Sequence, residues 1–464
     1  MYRNDLFKNI LVIGGNVAGL AAASQAKRAN PELNVTVLES GKYISYGSCG
    51  LPYYISGIIK DFDDLFVYPV EFFKKERDIE VLTGHKVVEL DSSNRQVVVQ
   101  KDSQQNTEKI GYDRLIICSG ASPYVLNIPG IHSKNIFNFW NVEDTLNVKK
   151  FINNHSPKKA VVVGGGSIGL LMAEAFKELG IDVTVLEIAD MILKEYEDEV
   201  SNIMLKTLNL KQVKVMLSTA VKSFAHDNNI VKLVSVKKEG QIQDIETDFV
   251  LISTGVKANT GFIKNSSIVL GKNGAIKVNS QLQTSHLNIY AAGDCATVKN
   301  IITGKDDYVP TANNAAKMGR IAGSNAAGTN DVFPGSVKTK VDKVFGLEIA
   351  KTGLNLKEAK NYGYNAVKIT GNYPSHVRNL PGAENITVVA IVDFPSRKLL
   401  GAQMLGKQGI AKRIDIFATA ITSELTIDQV YMLDLSYAPK ISTVWDPVNK
   451  ICGKAILKLK DMRF

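Results

Sequence analysis

Two segments of the chain share one order of apolar, glycine-rich and acidic positions. The first reads KNILVIGGNVAGL from Lys8, continues as a helical run and ends as VTVLE at Glu39. The second reads KAVVVGGGSIGL from Lys159, continues in the same way and ends as VTVLE at Glu187. An apolar run, a glycine turn, a helical run and a second apolar run predict a strand, a helix and a strand. The sequence therefore predicts one βαβ unit that is used twice.

Further apolar runs follow the second unit. FVLISTGVKAN (249–259) resembles RLIICSGASP (114–123), and both predict a buried strand that enters a turn. LNIYAAGD predicts a strand whose end presents Asp294 at a glycine turn, and proline and threonine at Pro310 mark the start of a helix.

The pattern changes at about Asp331. Strand-like segments, proline and glycine become more frequent, a helix is expected over 411–423, and the chain continues as DLSYAPKISTVWDPVNK. We therefore predict a separate C-terminal domain of about 130 residues, a common size for one domain.

Both glycine turns are suited to a dinucleotide. Gly164, Gly166 and Gly169 match G-x-G-x-x-G, in which glycine allows the tight turn, the approach of a pyrophosphate and close packing of helix on strand. The first turn departs from this motif, because Asn16 stands at the second glycine. The helix N-terminus then offers free N–H groups and the positive end of its dipole. The expected contacts in the two turns are Gly14, Gly15, Val17, Ala18, Gly19, Gly164, Gly166, Ser167, Ile168 and Gly169.

The acid that ends each unit can accept hydrogen bonds from a ribose diol. These acids are Glu39 and Glu187. No arginine follows Glu187 directly, so the sequence offers no obvious clamp for a 2′-phosphate, and NADH is favoured over NADPH.

Composition narrows the possible partners. The 464 residues are 45% hydrophobic and 22% charged, with a net charge of +9, which is typical of a globular protein that has a lysine-rich surface. The second explanation of this positive charge is that the protein binds a polyanionic small molecule. Nucleic acid is disfavoured because no basic run carries interleaved aromatic residues. No apolar run is long enough for a membrane span, so we expect no membrane partner.

The four cysteines have no motif spacing. Cys49, Cys118, Cys295 and Cys452 form neither a Cys-x-x-Cys pair nor a zinc-ligand pattern, so we predict no metal site and a reducing, cytoplasmic location. Cys118 and Cys452 are expected to pack in the protein interior and not to react. The position of Cys295 is expected to require only a small side chain. A lone thiol is usually a small buried hydrophobe, but Cys49 lies in the small-residue turn of SYGSCGLPYY.

These features together resemble the flavin-dependent pyridine nucleotide–disulfide oxidoreductases. Within this family the chain is most similar to one group, which contains coenzyme A-disulfide reductase, sulfur or polysulfide reductases, NADH oxidase and NADH peroxidase, and within it to coenzyme A-disulfide reductase. The features that carry this similarity are the single cysteine, AKRIDIFATAI (411–421) and LSYAPKISTVWDPV (435–448). The resemblance covers essentially the whole chain. It implies an α/β fold with two Rossmann-like, glutathione-reductase-like domains and an α+β dimerisation domain. The implied segments are an FAD domain at 1–115 and 255–328, an NAD(P)H domain at 116–254 and a dimerisation domain at 331–464.

The resemblance also implies how the cofactors bind in a homodimer. FAD would contact the first unit, the ribityl chain would meet Asp294, and the helix beginning near Ala312 would direct its N-terminus at the flavin. Gly255, in the TG turn, and Ser45 would also lie at the cofactors. NAD(P)H would contact the second unit.

The implied chemistry centres on Cys49. In dithiol relatives a second cysteine stands at Ser45, so here Cys49 would cycle between a thiolate and a mixed disulfide with a low-molecular-weight thiol. LPYYISG predicts a helix after Cys49 whose N-terminus would lower the pKa of the thiol. Tyr437 of the partner subunit would protonate the departing thiolate. The expected substrate contacts are Gln25, Arg28, Ser45 and Arg378.

Several alternatives stay open. Coenzyme A disulfide is the favoured substrate, polysulfide or persulfide reduction competes with it, and a slow flavin-based redox sensor is the non-enzyme alternative. The peroxidase and oxidase relatives carry histidine where this chain has Val17, which weakens those readings, although NADH oxidase activity remains an alternative. Other departures are Ser167 at the aromatic gate, Leu171 at a commonly acidic position, and Asn379 and Leu380 where a second tyrosine is expected.

Overall fold

The protein is described by a computed structural model that covers residues 7–101 and 106–462. Parallel sheets form the first two thirds of the chain and an antiparallel sheet forms the last third. The α-helices are α1 (Val17–Ala29), α2 (Leu51–Ser56), α3 (Val70–Arg77), α4 (Val142–His155), α5 (Ser167–Glu178), α6 (Asp198–Leu210), α7 (Ala312–Ala326), α8 (Leu356–Asn361), α9 (Ile410–Thr422), α10 (Ile427–Tyr431) and α11 (Pro447–Asp461).

The first sheet is parallel and buried. In spatial order its strands are Ile289–Ala291, Arg114–Ile117, Asn9–Ile13, Asn34–Leu38 and Ile79–Leu82. Helices α1 and α7 pack against each other beside it. The approach is close because a Cβ at Gly319 would lie 2.2 Å from the carbonyl oxygen of Ala18. The strand Arg114–Ile117 extends two residues past the predicted boundary at 115, so residues 116 and 117 belong to this sheet.

A second parallel sheet contains the other predicted unit. Its strands, in spatial order, are Lys214–Met216, Asp182–Leu186, Lys159–Val163, Phe249–Ile252 and Ile136–Asn138. Antiparallel three-stranded sheets accompany each parallel sheet, at His85–Asp91, Gln96–Lys101 and Thr107–Gly111, and at Thr219–Asp227, Ile230–Lys238 and Gln241–Glu246. Two short ribbons pair Ala121–Pro123 with Val256–Ala258 and Val298–Lys299 with Asp306–Asp307.

The third sheet is antiparallel. Its strands, in spatial order, are Lys340–Val344, Leu347–Gly353, Leu399–Gly406, Asn385–Asp393 and Ala366–Pro374. Helices α9 and α11 cover one face, where Phe417 and Ile451 are fully buried. The other face shares a hydrophobic core with the second sheet and with α2.

The predicted α/β fold with two dinucleotide units and a C-terminal α+β domain is confirmed. The repeated units fold as predicted because each carries its own apolar period and glycine turn. The predicted helix over 411–423 is α9, and the helix expected after Pro310 is α7. Helix α11 was not predicted from the sequence, although Asp446 caps it by accepting the N–H of Val448 (3.0 Å). In the described part of the chain, no helix combines the length and hydropathy needed to cross a membrane.

Candidate functional site

The first glycine turn is fixed by close backbone contacts. Gly14 has φ +108°, and a Cβ there would lie 2.2 Å from the carbonyl oxygen of Cys118. A Cβ at Gly19 would lie 1.8 Å from the carbonyl oxygen of Gly14. Only glycine fits at both positions. The turn therefore brings α1, which begins at Val17, directly onto the end of its strand.

Glu39 lies at the mouth of this turn. Its Oε2 accepts the N–H of Gly15 at 2.6 Å and its Oε1 accepts the N–H of Gly41 at 2.7 Å. The carboxylate is thus held beside the backbone that would face a pyrophosphate, at the position from which a ribose diol is bound in such units.

The second turn repeats this geometry. Gly164 has φ +115°, and a Cβ at Gly169 would lie 2.0 Å from the carbonyl oxygen of Gly164. Glu187 accepts the N–H groups of Gly165 (2.7 Å) and Ala189 (2.9 Å). Gly165 was missed because it is the variable position of the motif. Space is open around Gly166, where a Cβ would meet nothing within 4 Å, and Ile168 follows in the first turn of α5.

Asp294 lies next to the first glycine turn. A Cβ at Gly293 would come within 2.8 Å of the Ala18 Cβ. Burial raises the pKa of the Asp294 carboxyl group to about 6. Such a group is more stable as a carboxylate once hydroxyl groups donate to it.

The N-terminus of α7 carries no side-chain cap. Thr311 stands at the N-cap, but its side chain accepts no hydrogen bond from the helix, which begins at Ala312. In the described residues the buried Thr311 Oγ1 and Asn16 Oδ1 have no hydrogen-bond partner. Orphaned buried polar atoms indicate that a polar ligand belongs here. With the first glycine turn and Asp294, these groups fit FAD.

Gly255 lies apart from these contacts. It has φ +106°, and its carbonyl oxygen accepts the N–H of Tyr124 at 2.9 Å, at the ribbon between the two parallel sheets. The positive φ explains why glycine occupies this turn.

Cys49 is exposed, whereas Cys118, Cys295 and Cys452 are buried. It sits in a 3₁₀ turn, Ser48–Gly50, directly before α2. The prediction that a helix would lower the pKa of Cys49 is wrong for this structure. The surrounding protein partly desolvates the thiol, and the charges of Asp342 and Asp294 add to this, so the pKa is raised.

Ser45 ties the cysteine segment to the first glycine turn. Its N–H donates to the carbonyl oxygen of Gly15 (3.2 Å), and its own carbonyl oxygen accepts the N–H of Val67 (2.8 Å). Ser45 adopts φ +53°, a left-handed conformation. On the other side of Cys49, α2 packs against α5. The cysteine is therefore held between the two dinucleotide units.

A cavity of about 340 Å³ lies between α1, the segment before Cys49, α3 and α7. Three arginines, Arg28, Arg77 and Arg320, contribute to its lining, and Tyr68 lies among them. Arg28 is a predicted substrate contact. The predicted contact Gln25 does not line the cavity but accepts a hydrogen bond from Arg28 at 3.4 Å. The remaining lining residues are Asn16, Val17, Leu20, Ala21, Ser24, Ser45, Tyr46, Gly47, Val67 and Phe73.

Arg77 and Arg320 were missed by the sequence analysis. Arg77 is the last residue of α3, and its guanidinium lies 5.4 Å from the ring centroid of Phe72. The available signal for it was the three basic residues that α3 carries in its last turn, Lys74, Lys75 and Arg77. Nothing local to Arg320 distinguishes it from any exposed arginine on a helix.

Tyr437 and Arg378 lie together in the third domain. Both are exposed, and their segments are joined where the N–H of Val377 donates to the carbonyl oxygen of Pro439 (3.1 Å). Neither side chain lines the cavity described above. The structure therefore brings the segments of these two predicted residues together, away from the cavity of their own chain. Cys49 itself does not line that cavity but follows the segment that does.

Ser167 has a partner that the sequence did not indicate. Its hydroxyl donates to Asp342 Oδ2 at 2.6 Å, which joins the first residue of α5 to the first strand of the third sheet. Leu171, one turn further along α5, packs against the shared core instead.

Comparisons with known proteins agree with this architecture. The chain matches the pyridine nucleotide-disulphide oxidoreductase family over residues 8–319 and the dimerisation domain of the same family over 342–447. It is 34% identical over 445 residues to an NAD(P)H coenzyme A polysulfide/persulfide reductase of Pyrococcus horikoshii, covering 96% of this chain and 97% of the relative. It is 31% identical over 449 residues to a coenzyme A disulfide reductase of Staphylococcus haemolyticus, covering 97% and 99%.

A solved structure is also similar throughout. The reduced CoADR-RHD of Bacillus anthracis superposes with a TM-score of 0.94 at 33% identity, covering 98% of this chain and 81% of that chain. The match in sequence spans both glycine turns and most of the third domain. The chain therefore belongs to the pyridine nucleotide-disulphide oxidoreductases, a family of enzymes that depend on FAD and NAD(P)H.

Proposed function

We propose that this protein uses NAD(P)H to reduce the sulfur of a coenzyme A-linked substrate through Cys49, with coenzyme A disulfide as the first candidate. One observation carries the proposal. A single exposed cysteine follows a segment, Ser45–Gly47, that lines a cavity with three arginines. A thiol can exchange with a disulfide, and clustered guanidinium groups suit the phosphates of coenzyme A.

The cofactor contacts proposed here follow the two turns. FAD would be held by the first glycine turn, Glu39, Asp294 and the N-terminus of α7, with Ser45 alongside. Bound FAD supplies the two-electron relay between a nicotinamide and a thiol. NAD(P)H would be held by the second turn and Glu187. NADH is preferred because Ile188, and not an arginine, follows that acid.

Cys49 carries out the exchange. It loses its proton and attacks one sulfur of the substrate disulfide, so that a Cys49–coenzyme A disulfide forms and one coenzyme A thiolate leaves. Two electrons from NADH cleave this mixed disulfide, which releases the second thiolate and restores the Cys49 thiolate. Ser45 cannot form an internal disulfide, so the partner sulfur must come from the substrate. Tyr437 of the partner subunit is the proposed proton donor to a departing thiolate.

The cavity supports a substrate with several phosphates. Arg28, Arg77 and Arg320 would bind the 3′-phosphate and pyrophosphate of coenzyme A. Tyr68, which stacks on Phe72 with a ring-centroid distance of 4.2 Å, offers an aromatic surface for an adenine. Gln25 would act by orienting Arg28, and Arg378 remains a proposed contact from the partner subunit.

A persulfide or polysulfide is the second candidate substrate. Asn379 and Leu380 stand where a second tyrosine is expected in coenzyme A-disulfide reductases, which favours a smaller sulfur acceptor. The Pyrococcus horikoshii relative is named a coenzyme A polysulfide/persulfide reductase. Oxidase activity is less favoured because Val17, which lines the cavity, cannot protonate a peroxide.

We also propose the organisation of the whole chain. The FAD domain comprises 1–115, extended to 117 by its strand, together with 255–328. The NAD(P)H domain comprises the remainder of 116–254, and 331–464 forms the dimerisation domain of a homodimer. The four cysteines are unpaired, which favours a reducing compartment such as the cytoplasm.

Mass spectrometry of the native protein tests the role of Cys49. We expect a coenzyme A adduct on Cys49 that dithiothreitol removes, and NADH oxidation that coenzyme A disulfide or polysulfide accelerates. Cys49→Ser should keep its flavin and lose this turnover, whereas Cys452→Ala, which alters a buried cysteine of α11, should retain it. Unchanged turnover in Cys49→Ser would refute the proposal.

Substitution of Arg77 tests the nature of the substrate. We expect Arg77→Ala to raise KM for coenzyme A disulfide about tenfold, since a charge-assisted contact to phosphate is lost. KM for pantethine, the disulfide of pantetheine, should not change, because this substrate lacks the nucleotide phosphates. Steady-state kinetics at low ionic strength make the comparison, and equal effects on both substrates would contradict phosphate binding in this cavity.

A further inference from the structure

Asp342 brings a carboxylate from the third domain to the second glycine turn. It lies in the strand Lys340–Val344, and its Oδ2 accepts the Ser167 hydroxyl at 2.6 Å. Ser167 is the first residue of α5, directly after Gly166. The carboxylate is therefore anchored at the N-terminus of α5, beside the turn proposed to bind NAD(P)H.

The charge of Asp342 also reaches Cys49. After desolvation, it is the main reason that the pKa of the Cys49 thiol is raised, and it raises the pKa of Tyr53 as well. Both residues belong to the redox segment and α2. Asp342 thus contacts the proposed NAD(P)H turn and acts electrostatically on the redox cysteine, the two parts of the site that the proposed path of electrons through the flavin connects.

No cation neutralises this carboxylate in the described part of the chain. The neighbouring Lys340 pairs with Glu195 at 2.7 Å, and Lys351 lies 3.6 Å from the same Glu195. Asp342 forms no salt bridge among the described residues, and Ser167 is its one side-chain hydrogen-bond partner there. No described basic side chain therefore pairs with this carboxyl group where the third domain meets α5.

We infer that Asp342 is an electrostatic positioning residue for the nicotinamide ring. This rests on the proposed binding of NAD(P)H to the second turn. When a dihydronicotinamide gives up a hydride, which is one proton with two electrons, to the flavin, its ring is left with one positive charge. A fixed carboxylate nearby favours that cationic ring, and with it NAD⁺ over NADH. Ser167 holds the carboxylate in place.

Two substitutions separate the charge from the hydrogen bond. Asp342→Asn removes the charge and keeps the shape and an oxygen that can accept from Ser167. Ser167→Ala removes the hydrogen bond and keeps the charge. Asp393→Asn is a matched control, since Asp393 also lies on a strand of the third sheet and accepts a serine hydroxyl, from Ser396.

Binding of NAD⁺, tetrahydro-NAD and ADP-ribose to the FAD-loaded proteins is the measurement, by titration calorimetry. Tetrahydro-NAD has a neutral reduced ring but cannot give up a hydride, and it stands in for NADH because NADH itself would reduce the flavin. We expect Asp342→Asn to weaken NAD⁺ relative to NADH by about five- to tenfold, the effect of one unit charge in a partly solvated cleft. ADP-ribose, which lacks the nicotinamide, should bind as it does to wild type. Asp393→Asn should keep the wild-type ratio of NAD⁺ to NADH affinity, and Ser167→Ala, which frees the carboxylate but keeps its charge, should lower that ratio less than Asp342→Asn does.

An unchanged ratio of NAD⁺ to NADH affinity in Asp342→Asn would overturn the inference. So would an equal loss of ADP-ribose binding, which would assign Asp342 a structural role only. The proposed function is checked separately on the wild-type protein. If NADH does not reduce its flavin, the proposed function fails, whatever the variants do.

Discussion

The carboxyl group of Asp294 is largely buried in the flavin-free protein. Burial raises its pKa to about 6, against about 3.9 in an unfolded chain. The folded state therefore holds its proton more tightly. Between pH 4 and 6 the folded protein binds more protons than the unfolded one, so Asp294 lowers the stability of the flavin-free protein as pH rises through this window. Hydroxyl donors from FAD would offset this cost.

Asp294→Asn should remove this dependence on pH. We expect the stability of the variant relative to wild type to increase by about 2 kcal/mol between pH 4.5 and 7 in the flavin-free proteins. The variant should retain FAD less well, because the charged acceptor is lost. Urea unfolding at the two pH values and flavin release on dilution measure these effects. Parallel pH curves for the two proteins would show that Asp294 is not titrating in this window.

The sequence predicts the role of a site residue where that residue belongs to a motif of contiguous elements. The glycines of both turns, Glu39 and Glu187 follow from one motif each, because strand, turn and helix are contiguous. Arg320 lines the cavity from α7, far along the chain from α1, and Asp342 is 175 residues away from its partner Ser167. No local sequence motif could therefore predict the role of either residue. The direction of the Cys49 pKa shift was missed for the same reason, because two distant carboxylates and desolvation decide it.

The elements of the third domain are held in place by a buried ion pair. Arg413 of α9 and Asp446, the N-cap of α11, are 8% and 6% exposed, with Nε and Oδ2 2.8 Å apart. Arg413 Nη2 also donates to the carbonyl oxygen of Ser375 (3.0 Å), next to the loop that carries Arg378. One guanidinium thus links α9, α11 and the loop beside Tyr437.

Arg413→Ala should be strongly destabilising. It leaves the Asp446 carboxylate buried without its partner, and breaking such a pair costs about 3–5 kcal/mol. Arg397→Ala is the matched control, because it breaks the more exposed Arg397–Asp428 pair, which we expect to cost about 1 kcal/mol or less. Thermal and urea unfolding compare the two variants, and similar losses would argue against a structural role for the buried pair. Limited proteolysis at Arg378 and Lys440 should also speed up only in Arg413→Ala.

The whole molecule presents an apolar surface around Tyr437. The tail exposes five large apolar or aromatic side chains within fourteen residues, which is more than scattered surface residues explain. They are Met432 (71% exposed), Tyr437 (49%), Ile441 (73%), Val444 (68%) and Trp445 (44%). The match to the family's dimerisation domain covers this tail up to residue 447. We therefore expect a second copy of the chain to cover it, as two-fold symmetric dimers commonly do.

A mixture of two inactive variants tests whether each active site spans that interface. In a heterodimer of Cys49→Ser and Tyr437→Phe subunits, one site combines an intact Cys49 with an intact Tyr437 only if these residues come from different chains. Unfolding and refolding an equal mixture should then restore about a quarter of wild-type turnover, because half of the dimers are mixed and each has one working site. Each variant refolded alone should stay inactive, and each should still show flavin reduction by NADH. Mass spectrometry should confirm that heterodimers have formed. If turnover is not recovered although they are present, Tyr437 does not belong to the site of the partner subunit.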